Sequence, residues 1–339
     1  MEQVMDQRSK ALADRKAGQA FPDLPDEEIE ALVQSLNSLH EGELGIDMLV
    51  ACGQRAIGPL RRFLLHGKPS GIFVPKQRAV KALAELGAKE VLLDYLAVDE
   101  QIADPVAAHG EEAVKNTAAR ALSAWHTEDV YQALLRTLRR RRLPGVIEAL
   151  GEFPGRSEAV PELVAALEDD FCRTSAEDAL RKIGDVAHFA FVDAARTPDP
   201  SGARETPSSR SRRRSALRLL ETLRLFVDDW RKVAALLHDS DPEIAARAAA
   251  IALNLADRRN QELAVRRMIE VLPAAEWFLQ GEIQEWLEKH LDIALPSINE
   301  AIERRQAASA SIQARDHVLR LLLAVRRKGQ DGADGERNT

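Results

Sequence analysis

One stretch, SEAVPELVAALEDDFCRTSAEDALRKIGD over Ser157–Asp185, constrains the fold more than any other. Val160, Leu163, Val164 and Leu167 recur at i, i+3, i+4 and i+7, which places one apolar stripe on a helix whose other side carries Glu158, Glu162 and Glu168. Pro161 falls in the first turn, where a missing N–H does no harm because the first amides of a helix have no internal acceptor. Cys172, Ala176, Ala179, Leu180 and Ile183 mark a second stripe, and Gly184 stands where a left-handed cap ends the helix at least cost. Both helices are near or below the roughly 12 to 15 residues at which an isolated helix becomes even marginal. The pair must therefore bury its stripes against similar pairs.

Weaker copies of the pattern fill most of the chain. A helix with Asp26 as N-cap and Ile29, Leu32, Val33, Leu36 and Leu39 as its stripe is expected to cap the open end over 26–45. From Ile46 the pairs begin, with Ile57, Leu60 and Leu64 in one helix and Val80, Leu83 and Leu86 in the next, stopped by Gly87. The loop between them, HGKPSGIFVP, has an apolar tip at Ile72 and Phe73 that is expected to fold back on the neighbouring pair. The pair from Ala88 to Trp125 contains a long connection, VDEQIADPVAAHGEE, and Val130, Leu134 and Leu138 with Ile147 and Leu150 make the following pair. After Val186 to Ala195 the connection TPDPSGARETPSSRSRRRS is rich in Pro, Ser, Gly and Arg; it predicts a mobile segment, with the partner helix resuming by Leu217. Asp239-Ser240-Asp241-Pro242-Glu243 is a helix start, an N-cap followed by proline and an acid in the first turn. Two last pairs, 260–291 and 293–327, lack glycine endings, as terminal repeats do.

The prediction is an all-α fold: a right-handed α-solenoid of about eight helix pairs over 26–327, its inner surface lined by the second helix of each pair. A polar arm, 1–25, precedes it, and a tail, 328–339, with nothing to bury is expected to be disordered. Only 4% of residues are aromatic, so alanine and leucine carry the apolar content, which suits close helix packing and argues against a β-rich fold.

Ala159-Val160-Pro161, Leu163, Ala166-Leu167, Asp169, Arg173, Ala176, Ala179-Leu180 and Ile183-Gly184-Asp185 resemble a HEAT repeat, of the short bacterial kind also found in phycobilisome-type (PBS) lyases. The resemblance implies the solenoid but leaves function open, since such repeats serve scaffolds, bilin lyases, hydroxylases and DNA glycosylases. The family commonly has arginine directly after the equivalent of Ile244; here Ala245 and Ala246 stand there with Arg247 displaced, a departure from any shared arginine ladder.

Sites for chemistry are sparse. No HxxxH pair occurs, and His40-Glu41 is a single copy of a pair that the HEAT-like di-iron hydroxylases repeat, so no metal or cofactor site is expected. Asp228-Asp229-Trp230 superficially resembles the acid-beside-tryptophan arrangement of HEAT-like glycosylases, but tryptophan at this point of a helix is more often a packing residue. Cys52 and Cys172 lie far apart and read as reduced core thiols. No apolar run approaches a membrane span and MEQVMDQRSK lacks the core of a signal peptide, so a cytoplasmic protein without membrane contact is expected.

Two arginine clusters stand out: Arg136, Arg139, Arg140, Arg141 and Arg142 at the end of one helix, and Arg210, Arg212, Arg213 and Arg214 in the long connection. A helix C-terminus stabilises a cation by about 0.3–1 kcal/mol, which does not call for four consecutive arginines. Like charges this close point either to an anionic contact or to a merely solvated face, and the sequence leaves both open. If both clusters faced one rim, they would make a single basic surface on a chain of net charge −7. The expected function is a non-enzymatic scaffold that binds a protein or peptide partner, acidic partners included. The alternatives are a nucleic-acid or polyanion binder working through the arginines, the glycosylase type included, and a bilin-lyase-like enzyme.

Overall fold

The computed structural model describes residues 24–99, 101–201, 204–307 and 316–336. They form an all-α fold of eighteen α-helices with four short 3-10 helices and a two-residue ladder in which Pro200–Ser201 (β1) pairs antiparallel with Arg204–Glu205 (β2). Two compact units result, the first comprising the described residues through Pro154 together with Thr174–Lys182, the second Gly155–Arg173 and the chain from Ile183.

In the first unit lie α1 (Asp26–Ser35), α2 (Gly42–Ala51), α3 (Ile57–His66), α4 (Val74–Glu85), α5 (Lys89–Ala97), α6 (Pro105–Leu122), α7 (Glu128–Arg140) and α8 (Pro144–Gly151). Each odd-numbered helix packs on the next odd one and each even-numbered helix on the next even one, so two layers form and the apolar stripes meet between them. Ile46, Leu49, Leu60, Leu64, Leu83, Leu92, Leu122 and Leu134 are almost wholly buried in that seam, each stabilising the fold by about 1.5–3 kcal/mol relative to exposure.

The second unit contains α9 (Val160–Ala166), α11 (His188–Arg196), α12 (Pro207–Glu221), α13 (Val227–Val233), α14 (Pro242–Leu255), α15 (Arg258–Val271), α16 (Trp277–Lys289), α17 (Leu291–Gln306) and α18 (His317–Glu336). The same alternation holds: α9 packs on α11 and α11 on α13, while α12 packs on α14, α14 on α16 and α16 on α18. The helix α10 (Arg173–Ile183) gives its central residues to the first unit.

The Ser157–Asp185 pattern yields α9 and α10 as read, and Gly184 at φ +78° and Gly87 at φ +71° take the left-handed conformation that stops their helices. In α9 the stripe is rotated slightly: Ala166 is buried and Val164 only half-buried.

Elsewhere the helices begin earlier or break where the pattern alone was ambiguous. The expected cap over 26–45 is two helices, because α1 ends at Ser35 and α2 runs from Gly42 to Ala51; Asp26 is already helical and Leu39 is exposed. The connection before Trp125 is shorter than expected, since Asp104 caps α6 through the amides of Val106 and Ala107 and Pro105 opens the helix. The connection after Ala195 also shrinks: the Thr206 hydroxyl accepts from the Ser209 amide at 3.1 Å, Pro207 follows, and the arginine-rich run is helix rather than mobile segment. The tail expected at 328–339 is helical to Glu336, and residues 1–23 of the expected arm lie outside the described residues. The 67–73 loop folds back as expected, its Ser70-Gly71 backbone against Val106 and Gly110 of α6, but Ile72 at its tip stays exposed. No helix among the described residues is long and apolar enough to cross a membrane.

A recurrent device is not visible in the helical periodicity. The last carbonyls of a helix lack internal donors, and here arginines supply them. Arg78 on α4 donates to the Leu36 and Ser38 carbonyls at 2.9 and 2.7 Å, Arg173 on α10 to Leu167 at 2.9 Å, and Arg213 on α12 to Ala195 at 2.8 Å. Arg267 on α15 does the same for Leu237 and Asp239.

Candidate functional site: a groove along the even-numbered helices

In the first unit the even-numbered helices approach closely because small residues face one another. A side chain at Gly151 would put its Cβ 2.7 Å from the Ala179 Cα, and one at Gly145 would meet the Asn116 backbone. Asn116 uses that proximity, its Oδ1 accepting from the Gly145 amide at 2.6 Å. Polar side chains beside the small residues can therefore reach from one helix to the next. Arg78 donates to Glu43 at 2.9 Å, Gln77 to Thr117 at 2.9 Å, Arg120 to Glu148 at 2.5 Å, and Lys182 to Glu152 at 2.5 Å. Ser175 adds a second donor to Glu148 at 2.9 Å.

Two hollows run along this face and share Arg120. One, of about 590 Å³, lies between α2, α4 and α6 and is lined by Glu43, Gln77, Lys81, Glu85 and Thr117. The other, of about 650 Å³, lies between α6, α8 and α10 and is lined by His126, Glu148, Glu152, Ser175, Asp178 and Lys182. The Arg78 and Arg120 guanidiniums hold the Glu43 and Glu148 carboxyls below the usual carboxylate range, and Glu152 holds the Lys182 ammonium above its own. The groove thus carries fixed charges of both signs with partly exposed donors and acceptors, an arrangement suited to polar recognition.

The two cysteines are buried, and burial pushes the Cys52 thiol up, away from the thiolate a nucleophile needs. Among the described residues no group of His, Cys, Asp and Glu could hold a metal ion. His40 of the single His-Glu pair is exposed, on a turn whose amides donate to the Ser38 hydroxyl. Trp230 is buried as a packing residue, and Asp229 caps α13 by accepting from the Phe226 amide at 2.7 Å while lying 3.0 Å from His188.

The two arginine clusters fall in different units. Arg136, Arg139, Arg140, Arg141 and Arg142 are all exposed at the end of α7, on the odd-numbered layer, and Arg141 pairs with Glu112 at 3.1 Å. Arg210, Arg212, Arg213 and Arg214 lie on α12 and meet carboxylates of the same unit. Arg212 binds Glu168, Arg213 reaches Glu205 at 2.9 Å and Asp239 at 2.5 Å, Arg214 meets Asp241 at 2.5 Å, and Arg210 is 3.7 Å from Asp241. Arg213 is only 3% exposed, so its charge serves the fold rather than an open surface. The displaced Arg247 is buried as well, within 3.0 Å of Glu221, Glu243 and Glu282 and over the Trp286 ring. Apart from Glu205 and Glu243, the acids that complete this network lie some tens of residues away in sequence, and Asp239 and Asp241 read there only as a helix start.

No protein-family model and no curated protein gives a significant match to this chain.

Proposed function

We propose that this protein is a non-enzymatic scaffold, a right-handed α-solenoid of HEAT-like pairs that binds a segment of a protein partner along the even-numbered helices. The observation that carries the reading is the shared groove: two hollows joined at Arg120, walled by a cross-helix ladder that orders its own side chains before any partner arrives. Groups already held in place lose little freedom on binding, so more of each contact appears as affinity. Lys81, Arg120 and Lys182 stand beside Glu43, Glu148 and Glu152, which favours a partner segment carrying charges of both signs.

The test begins with the partner that co-purifies from the native host after nuclease treatment. Arg120→Glu and Lys182→Glu are expected to weaken its binding at least tenfold, about 1.4 kcal/mol or more, with the melting temperature nearly unchanged. Equal affinity for both variants and the parent would remove the groove from consideration. A second reading, polyanion binding at the α7 end, rests on Arg136 and Arg140, which are exposed and form no ion pair among the described residues. It requires binding that is lost with nuclease and that falls steeply with salt.

A further inference from the structure

Away from the groove, a smaller hollow lies between α3, α4, α5 and α6, walled by Leu64, Val98 and Ile102. Its floor is a buried polar triad. Lys76 donates to one oxygen of Glu111 and Tyr95 donates to the other at 2.5 Å, and all three residues are at least nine-tenths buried. Both Glu111 oxygens are therefore occupied. Towards the mouth, Arg141 is held by Glu112 at 3.1 Å, while Lys115 donates to the Val98 carbonyl and has no carboxylate at ion-pairing distance among the described residues. Burial first, then the neighbouring Arg141 charge, holds the Lys115 ammonium below the usual lysine range, and Asp99 on the adjoining loop offsets this only in part. Lys76 and Arg141 thus have carboxylate partners in Glu111 and Glu112, while Lys115 has only the more distant charge of Asp99.

We propose that this hollow binds one carboxylate group, its oxygens taken by the Lys115 ammonium and the Arg141 guanidinium and its apolar stem by Val98 and Ile102. The cavity of about 30 Å³ decides the class. It has room for about two water-sized groups, which matches the two oxygens of a carboxylate. A bound carboxylate gives Lys115 an ion-pair partner and relieves the repulsion between Lys115 and Arg141. Charge-assisted bonds of this kind are the strong ones, and arginine's paired N–H groups suit a carboxylate. The assignment also gives one member of the α7 arginine cluster a ligand that is neither nucleic acid nor the groove's partner.

Lys115 reports the binding itself. Its acylation by an amine-reactive ester near neutral pH, followed by peptide mass, is compared in sodium butyrate and in sodium chloride at matched ionic strength, with exposed Lys81 as internal control. Butyrate is expected to slow Lys115 about tenfold, the effect of raising an amine's pKa by about one unit, and to leave Lys81 unchanged. Equal rates in the two salts overturn the proposal, and so does protection by inorganic phosphate equal to that by butyrate. Glu112→Gln frees Arg141 and should lower the butyrate concentration needed for protection, whereas Arg141→Met should abolish protection. Should Arg141→Met fail to fold, the Glu112→Gln arm still decides, because unchanged protection there counts against Arg141 as a ligand. A short peptide with a free C-terminus that protects at lower concentration than butyrate, while its amide does not, identifies the carboxylate as a chain terminus. Protection by butyrate alone identifies a small free acid.

Discussion

Glu221, the last residue of α12, offers the sharpest test of the buried charge network. Its Oε2 accepts from Arg247 at 2.8 Å, but Oε1 is buried with no hydrogen-bond partner. Loss of water around the carboxyl pushes it up to about 7 against the pull of Arg247, and Glu282 and Glu243 push in the same direction. In the unfolded chain the group titrates near its ordinary 4.5. Below that value both states are protonated and the group contributes no difference. Between 4.5 and about 7 the folded chain keeps a proton that the unfolded chain has released, so stability falls as pH rises through this window, and the whole deficit is present above it. At about 1.4 kcal/mol per pH unit the interval amounts to about 3 kcal/mol.

Glu221→Gln keeps the shape, cannot ionise, and leaves Arg247 with Glu243 and Glu282. Its stability relative to the parent is expected to be near zero at the acid end and to rise by up to about 3 kcal/mol above neutral pH, an upper bound because Arg247 loses one counter-charge. Urea unfolding at a series of pH values, followed through tryptophan fluorescence, measures the difference. A difference that does not grow with pH, or a variant less stable than the parent above neutrality, would refute the reasoning.

Three further outcomes follow from the same contacts. Arg213→Met strands Glu205 and Asp239 and the Ala195 carbonyl, and should cost about 3–5 kcal/mol in urea unfolding; adding Glu205→Gln and Asp239→Asn should recover a large part of it. Gly151→Leu drives a side chain into the Ala179 backbone and should lower stability by about 1–3 kcal/mol or more, read as a fall in melting temperature, whereas leucine at exposed Gly281, which meets nothing, should be far milder. Tyr95→Phe leaves one buried Glu111 oxygen without a donor and should cost about 1–3 kcal/mol. In the Tyr131→Phe background the parent Tyr95, held above the ordinary phenol range by burial and by Glu111, should give no tyrosinate absorbance until the protein unfolds.

The helices that could be read from the sequence were those whose stripe and stop coincide. Val160 to Leu167 and Cys172 to Ile183 announce α9 and α10 because glycine at 184 closes the pattern, and Asp241-Pro242 announces α14 because the cap and the proline stand together. Thr206-Pro207 and Asp104-Pro105 carry the same cap-and-proline signal, yet the polar residues around them suggested connections. Composition misled there because α12 buries arginines, and a buried arginine looks like a loop residue until its acids are found. Apart from Glu205, those acids reach it only through the packing of helices on one another, which no local window contains. The groove was legible only as an expectation about the second helices, since Arg120, Glu148 and Ser175 have ordinary surface spacing and become a ladder through the close approach that Gly145 and Gly151 permit.

The arginines that close helix ends have a consequence for synthesis. Leu36 waits for Arg78, Leu167 for Arg173 and Ala195 for Arg213, so a carbonyl end is finished only by a side chain that leaves the ribosome later. The interval is shortest at Leu167 and longest at Leu36. A nascent chain halted before Arg213 should therefore present α11 with a frayed end, and amide exchange on stalled chains would show that end closing only when α12 has emerged.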